Sequence, residues 1–257
     1  MSEQQLKRET VDFLMELGVF RVGAADPRRG FTQAPHGCRP LDVMSGCRSV
    51  IVYAFNIGLD YYRALDLERN YLRLGHLYRD WAGFQLITFL RQKGYEAIEG
   101  PRGYVDKKRS IAPLSFKLAA YEAGIGVFGR PSIIITPEYG PRANLGVVLT
   151  SAVLEPDGRM QDFNPCENCN VCTNACPIHA IKGDMPPPIG FDREKCVAFI
   201  DWLKECTNDK VKLCGYCFNR CPAGKLLKKT LKIKKWRTLE DLKPADRMKL
   251  TDGFKTK

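Results

Sequence analysis

Sulfur ligands dominate the chemistry that this sequence can perform. Of its eleven cysteines, nine fall between Cys166 and Cys221. The first group reads Cys166-x2-Cys169-x2-Cys172-x3-Cys176-Pro177, and the second reads Cys214-x2-Cys217-x3-Cys221-Pro222. Thiolates at every third residue wrap three corners of a cubic cluster. The fourth, set against proline, leaves the local loop for a second cluster. Two 4Fe–4S clusters need about eight thiolates, and the two runs supply seven. The eighth is Cys196 or Cys206. Cys196 is preferred because FDREK before it reads as a turn into a helix, 18 residues ahead of Cys214. The crossing rule then assigns Cys166, Cys169, Cys172 and Cys221 to one cluster, and Cys176, Cys196, Cys214 and Cys217 to the other. Zinc is the competing reading, since C-x2-C pairs also bind it tetrahedrally, but zinc ribbons rarely carry this run. Cys38, Cys47 and Cys206 read as small buried residues rather than ligands.

The elements that must position these thiols divide by composition. Residues 1–160 read as an α/β cofactor and substrate domain. Leu6, Phe13, Leu14 and Leu17 recur at helical spacing before Gly18. Ser49 to Phe55 is β-branched and aromatic, a buried strand. Apolar residues from Leu74 to Leu90 describe a long helix over about 71–93, closed by Gly94. A short strand over 95–98, a helix over about 114–123, and strands over 132–136 and 145–154 complete the domain. Pro156, Asp157 and Gly158 mark its end. Residues 161–224 form a ferredoxin-like double-cluster domain and 225–257 a basic C-terminal tail. In that tail Lys225, Lys228, Lys229, Lys232, Lys234, Lys235 and Arg237 interleave with leucines. This pattern is either an amphipathic helix with solvated lysines or a docking surface. As a docking surface it suits an acidic electron donor, such as a reduced ferredoxin or flavodoxin, better than nucleic acid, because no RNA-binding module is recognisable.

The chain carries a formal net charge of +11, with 44% hydrophobic and 27% charged residues. Two oxidised clusters would bring the charge to about +7, which is still basic. No apolar run approaches the ~20 residues of a membrane span. The polar N-terminus shows no secretion signal, so a cytoplasmic protein without a membrane partner is expected.

Gly124-x-Gly126-x-x-Gly129 has the letters of a dinucleotide fingerprint, but it follows a helix and opens a strand, the reverse of the order that motif needs. Its alternatives are a tight helix-to-strand connection or a backbone surface for a bulky cofactor.

The string AAYEAGIGVFGRPSIIITPEYGPRANLGVVLTSAVL, followed by the double cysteine run, resembles the epoxyqueuosine reductase family. Reductive dehalogenases are more distant relatives, and shorter iron–sulfur proteins of anaerobes share the glycine turn. The match is good over about 103–222. This resemblance implies an α+β protein with a nitroreductase-like N-terminal domain that binds a cobalamin over the Gly124 turn. Gly124, Gly126, Gly129 and Arg142 are the implied cofactor contacts, and the clusters feed electrons singly to cobalt. It further implies that Asp106, in the pair Val105-Asp106, is the general acid. A reading from the residues alone makes Asp106 an N-cap or solvated turn residue instead. The family's C-terminal helical-repeat domain is expected to have no counterpart here, with 36 residues following Cys221. A short form acting on a small substrate is therefore expected rather than epoxyqueuosine itself. Against this stands a non-enzymatic electron-transfer or activating protein that holds no corrinoid.

Overall fold

The computed structural model describes residues 2–56, 68–106, 111–208, 214–224 and 243–255. The basic run from Lys225 to Arg237 lies outside them. Two units result: residues 1–57, 70–127 and 143–163 make the first, and residues 58–69, 128–142 and 164–257 the second.

In the first unit, Ser2 caps α1 (Glu3–Glu16) by accepting from the Gln5 amide. Gly18, at φ 89°, ends it where the reading of the sequence places the stop. The chain continues through β1 (Arg21–Ala25), the single turn α2 (Pro40–Val43), β2 (Ser49–Phe55), α3 (Glu68–Gln92), β3 (Ala97–Glu99) and α4 (Phe116–Glu122). β4 (Val127–Phe128) closes this stretch of the first unit, β5 (Ile134–Ile135) belongs to the second, and the chain returns to the first as β6 (Asn144–Thr150). The main sheet is antiparallel in the order β1-β2-β6-β3. Every residue of β2 is buried, as its β-branched and aromatic composition requires. Leu6 and Leu14 of α1 and Leu86 and Leu90 of α3 join Ile51, Tyr53, Phe55 and Val148 in one core.

Two strands are shorter than the sequence suggests, for local reasons. β6 stops at Thr150 because the chain then bonds to side chains: the Ala152 amide donates to Thr150 Oγ1 and the Leu154 amide to Ser49 Oγ. β5 begins only at Ile134 because Ser132, at φ 55°, is held in a turn by its amide bond to the Gly129 carbonyl. β1 and α2 had no counterpart in the sequence reading. No helix among the described residues is long and apolar enough to cross a membrane.

Tyr53 stands opposite Gly146 across the β2/β6 pair, and a Cβ at position 146 would lie 2.0 Å from the ring. Gly146→Ala is therefore expected to lower stability by about 1–3 kcal/mol through overpacking. Gly46→Ala, where a Cβ meets nothing within 4 Å, should leave the urea midpoint unchanged. A second test concerns the Cys47 thiol, which is 1% exposed and donates to the Ser49 carbonyl at 3.4 Å. Burial pushes it up from 9.0 to about 11. Because the folded state holds this proton more tightly, its contribution to stability is complete below about pH 9 and is lost as pH rises through about 11. Denaturation from pH 8.5 to 11 should show a steeper fall for the wild type than for Cys47→Ala, and parallel curves would refute the assignment.

Candidate metal centre

The second unit is built by loops pinned to short helices. α5 (Val171–Ala175) carries Cys172, and Cys176 is the residue that ends it. α6 (Arg193–Cys206) opens on Asp192, whose side chain accepts from the Lys195 amide, so the expected turn into a helix is found and Cys196 lies in its first turn. α7 (Tyr216–Asn219), entered through Gly215 at φ 77°, carries Cys217. Phe199 and Leu203 of α6 pack with Ile178 and Ala180, and Cys176, Cys196 and Cys214 lie against this small core. α8 (Pro244–Lys255) covers it through Phe254, whose ring stands 5.1 Å from that of Phe199. The Trp202 indole donates to the Leu250 carbonyl at 3.2 Å.

The thiols fall into two neighbourhoods. Cys166, Cys169, Cys172, Cys217 and Cys221 line a cavity of about 240 Å³, with Pro131, Ile135, Pro141 and Val171 supplying apolar lining. Burial pushes the Cys172 thiol up to about 11, and Cys166, Cys221 and Cys169 add to the rise. Burial also raises Cys217, to about 12, with Cys214, Cys196, Cys172 and Cys176 contributing. The Ala180 amide donates to Cys176 Sγ at 3.2 Å. Next to Cys172 in the chain, the buried Thr173 hydroxyl has no hydrogen-bond partner among the described residues. An apolar cavity ringed by thiols, with an orphan hydroxyl on the same helix, fits a sulfur-ligated iron cluster.

Cys206 behaves differently from the reading of the sequence. It is exposed rather than buried, because it is the last residue of α6, beyond the turn that packs through Leu203. It lies roughly 15 Å along the helix axis from Cys196. Cys38 and Cys47 are buried, as expected.

Two arginines hold the ligand loops. Arg130, 7% exposed, donates to the carbonyls of Cys169 (3.0 Å), Cys166 (2.9 Å), Gly183 (2.8 Å), Met185 (2.9 Å) and Glu167 (3.5 Å). Arg142, also 7% exposed, donates to the carbonyls of Asn219 (2.8 Å) and Cys221 (3.3 Å). The family resemblance implies a cofactor contact for Arg142, whereas the sequence offers no such role for Arg130. Its one signal was a lone charge inside the apolar stretch IGVFGRPSIII.

The remaining predicted residues lie elsewhere. Gly124, at φ 66°, approaches the Gly158 backbone so closely that a Cβ would sit 2.6 Å from its carbonyl oxygen. Gly129 faces Ile135, whose Cγ1 would be 2.8 Å from a Cβ. Gly126 is buried. The freedom of the first two glycines is thus used by the chain's own packing. Asp106 exchanges backbone hydrogen bonds with Ile111, its amide donating at 3.3 Å and its carbonyl accepting at 2.9 Å, beside the exposed Tyr104 and Val105. Ser115 is the N-cap of α4.

Sheet, helices and cavity together define a mixed α/β protein with a cavity lined by cysteines. No family model matches the chain. An epoxyqueuosine reductase of Bacillus cereus is 34% identical over 258 residues, covering 88% of this chain and 66% of that protein. The solved structure of an epoxyqueuosine reductase with a modified tRNA stem loop superposes with TM-score 0.62 at 21% identity, over 86% of this chain and 66% of that one. A catabolic reductive dehalogenase in complex with 3-bromo-4-hydroxybenzoic acid gives TM-score 0.66 at 19% identity, over 99% of this chain and 36% of that one. With homologues and structural neighbours of both names, the chain belongs to the epoxyqueuosine reductase-like and reductive dehalogenase-like family. It spans 59% to 66% of the length of the first curated relatives.

The different settings of Cys196 and Cys206 lead to a direct test. After anaerobic reconstitution, Cys206→Ser should keep the full iron content, whereas Cys196→Ser should lose up to about half of it, one cluster of two. Equal iron in both variants would remove Cys196 from the ligand set.

Proposed function

We propose that this chain is an iron–sulfur reductase that passes electrons through two 4Fe–4S clusters toward a corrinoid that reduces a substrate. The observation that carries this reading is the gathering of five cysteines, Cys166, Cys169, Cys172, Cys217 and Cys221, around one cavity. Cys176, Cys196 and Cys214 lie on the adjoining core of the same unit, and Cys217 shares their electrostatic neighbourhood. In this proposal the first unit is nitroreductase-like and the second ferredoxin-like. Bound iron supplies one-electron chemistry. The chain's residues hold the thiolates, keep water from them with Pro131, Ile135 and Pro141, and fix the loops through Arg130 and Arg142.

The family names support a reduction that cleaves a carbon–heteroatom bond. The structure of one related reductive dehalogenase is described as suggesting a mechanism for B12-dependent dehalogenation. A related epoxyqueuosine reductase is described with its catalytic aspartate loop swung out of the active site. Asp106, on a loop beside two exposed residues, is the proposed proton donor here. A reduced ferredoxin or flavodoxin is the proposed electron source. A nucleic-acid substrate draws support from the relative solved with a tRNA stem loop. The packing of Gly124 and Gly129, and the bonds that engage Arg142, favour a second reading, an electron-transfer protein without a corrinoid.

Cobalt separates the two. Protein reconstituted with iron and sulfide, mixed with hydroxocobalamin and desalted, should hold about eight irons and cobalt near one per chain. Eight irons without cobalt would select the electron-transfer reading, and four or fewer would reject both. With cobalt retained, Asp106→Asn should keep both metals while turnover of an epoxyqueuosine stem loop or a halogenated phenol falls by roughly 10²–10⁴.

A further inference from the structure

Among the described residues the buried charged side chains are Glu122, Arg130 and Arg142. Glu122, in the first unit, is paired with Arg159. The buried positive charge of the second unit therefore resides in two arginines, and both grip the same group of ligands. Arg130 binds the carbonyls of Cys166 and Cys169, and Arg142 binds that of Cys221. These three thiols line the cavity. None of Arg130's bonds goes to a carbonyl of Cys176, Cys196, Cys214 or Cys217.

All five bonds of Arg130 go to uncharged backbone oxygens, and among the described residues it meets no carboxylate. Carbonyls satisfy its donors but not its charge, and a buried cation is costly unless an anion lies close by. An iron–sulfur cluster on the thiols beside it is such an anion, and it gains one further negative charge when it takes an electron. A fixed cation favours the more negative, reduced form, because the interaction grows with the charge it faces.

We propose that Arg130, seconded by Arg142, sets the cluster held by Cys166, Cys169, Cys172 and Cys221 at a more positive reduction potential than its neighbour, so that the two clusters are unequal carriers. This rests on the two-cluster reading. Arg130 acts here as a positioning residue whose charge, and not only its bonds, is used. The electron comes from a low-potential donor such as dithionite or a reduced ferredoxin, and no bond is made or broken.

The test is an EPR-monitored redox titration of reconstituted wild type, Arg130→Gln and Arg130→Lys, with dithionite as reductant. Wild-type iron below about eight per chain would sink the two-cluster reading itself, and it is determined first. With eight irons present, Arg130→Gln should move one midpoint to a more negative potential and leave the other in place, while Arg130→Lys stays near the wild type. Both midpoints unmoved in a fully loaded Gln variant would overturn the proposal, as would both falling together. A Lys variant that falls as far as the Gln variant would assign the effect to the carbonyl bonds instead of the charge. Failure of both variants to load iron while their circular dichroism stays native would make Arg130 a scaffold alone, and would likewise overturn it.

Discussion

A guanidinium offers five N–H donors in one plane and accepts nothing, so burying it requires oxygen on every side. Arg130 meets that requirement with backbone alone: three carbonyls from the loop 166–169 and two from 183–185. Loops of this kind have no ladder to hold them, and carbonyls with no partner are costly when buried. One side chain therefore fixes the path of two loops, and the thiols of Cys166 and Cys169 are placed as a result. The segment 128–142 that carries it comes between two stretches of the first unit in sequence, yet it folds with the cysteines. Arg142, at the other end of that segment, does the same for the Asn219–Cys221 turn.

Between these anchors the unit needs little regular structure. Its hydrophobic core is Ile178, Ala180, Phe199 and Leu203 with the rings and thiols that lie on them. A core of that size is marginal for an independent fold, and small units of this kind commonly rely on metal for stability. Bound clusters would act as covalent staples between loops that otherwise meet only through hydrogen bonds. The first unit is the reverse case, where a fully buried central strand and two packed helices supply a core that needs no metal.

The sequence made legible whatever is decided by nearby residues. Ser49 to Phe55 reads as a strand because every residue in it suits a buried pleat, and the structure gives those bounds unchanged. Asp192 before Cys196 reads as a helix start because an N-cap acts three residues on. What escaped depends on distant partners. β1 contains Gly23, which weakens the strand pattern, yet a Cβ there would lie 2.0 Å from the Ala123 carbonyl oxygen. Arg130 escaped for the same reason, since its acceptors lie 36 to 55 residues away in sequence. The exposure of Cys206 was not legible because only the packed turns of α6 show which of its cysteines faces the core.

The cavity wall is made from both ends of the cysteine unit, residues 165–172 and 217–223, together with the segment around Pro131 to Pro141. During synthesis, then, the first run of cysteines leaves the ribosome long before the surface that completes its pocket. Until Cys221 has emerged, Cys166, Cys169 and Cys172 are three thiols on an open loop, free to oxidise or to bind a stray metal. Closing about 55 residues of chain is an entropic cost that grows only slowly with length, so the delay is set by translation more than by folding. A ribosome that stalls between the codons of Cys176 and Cys214 would thus release a chain able to attract iron but unable to enclose it.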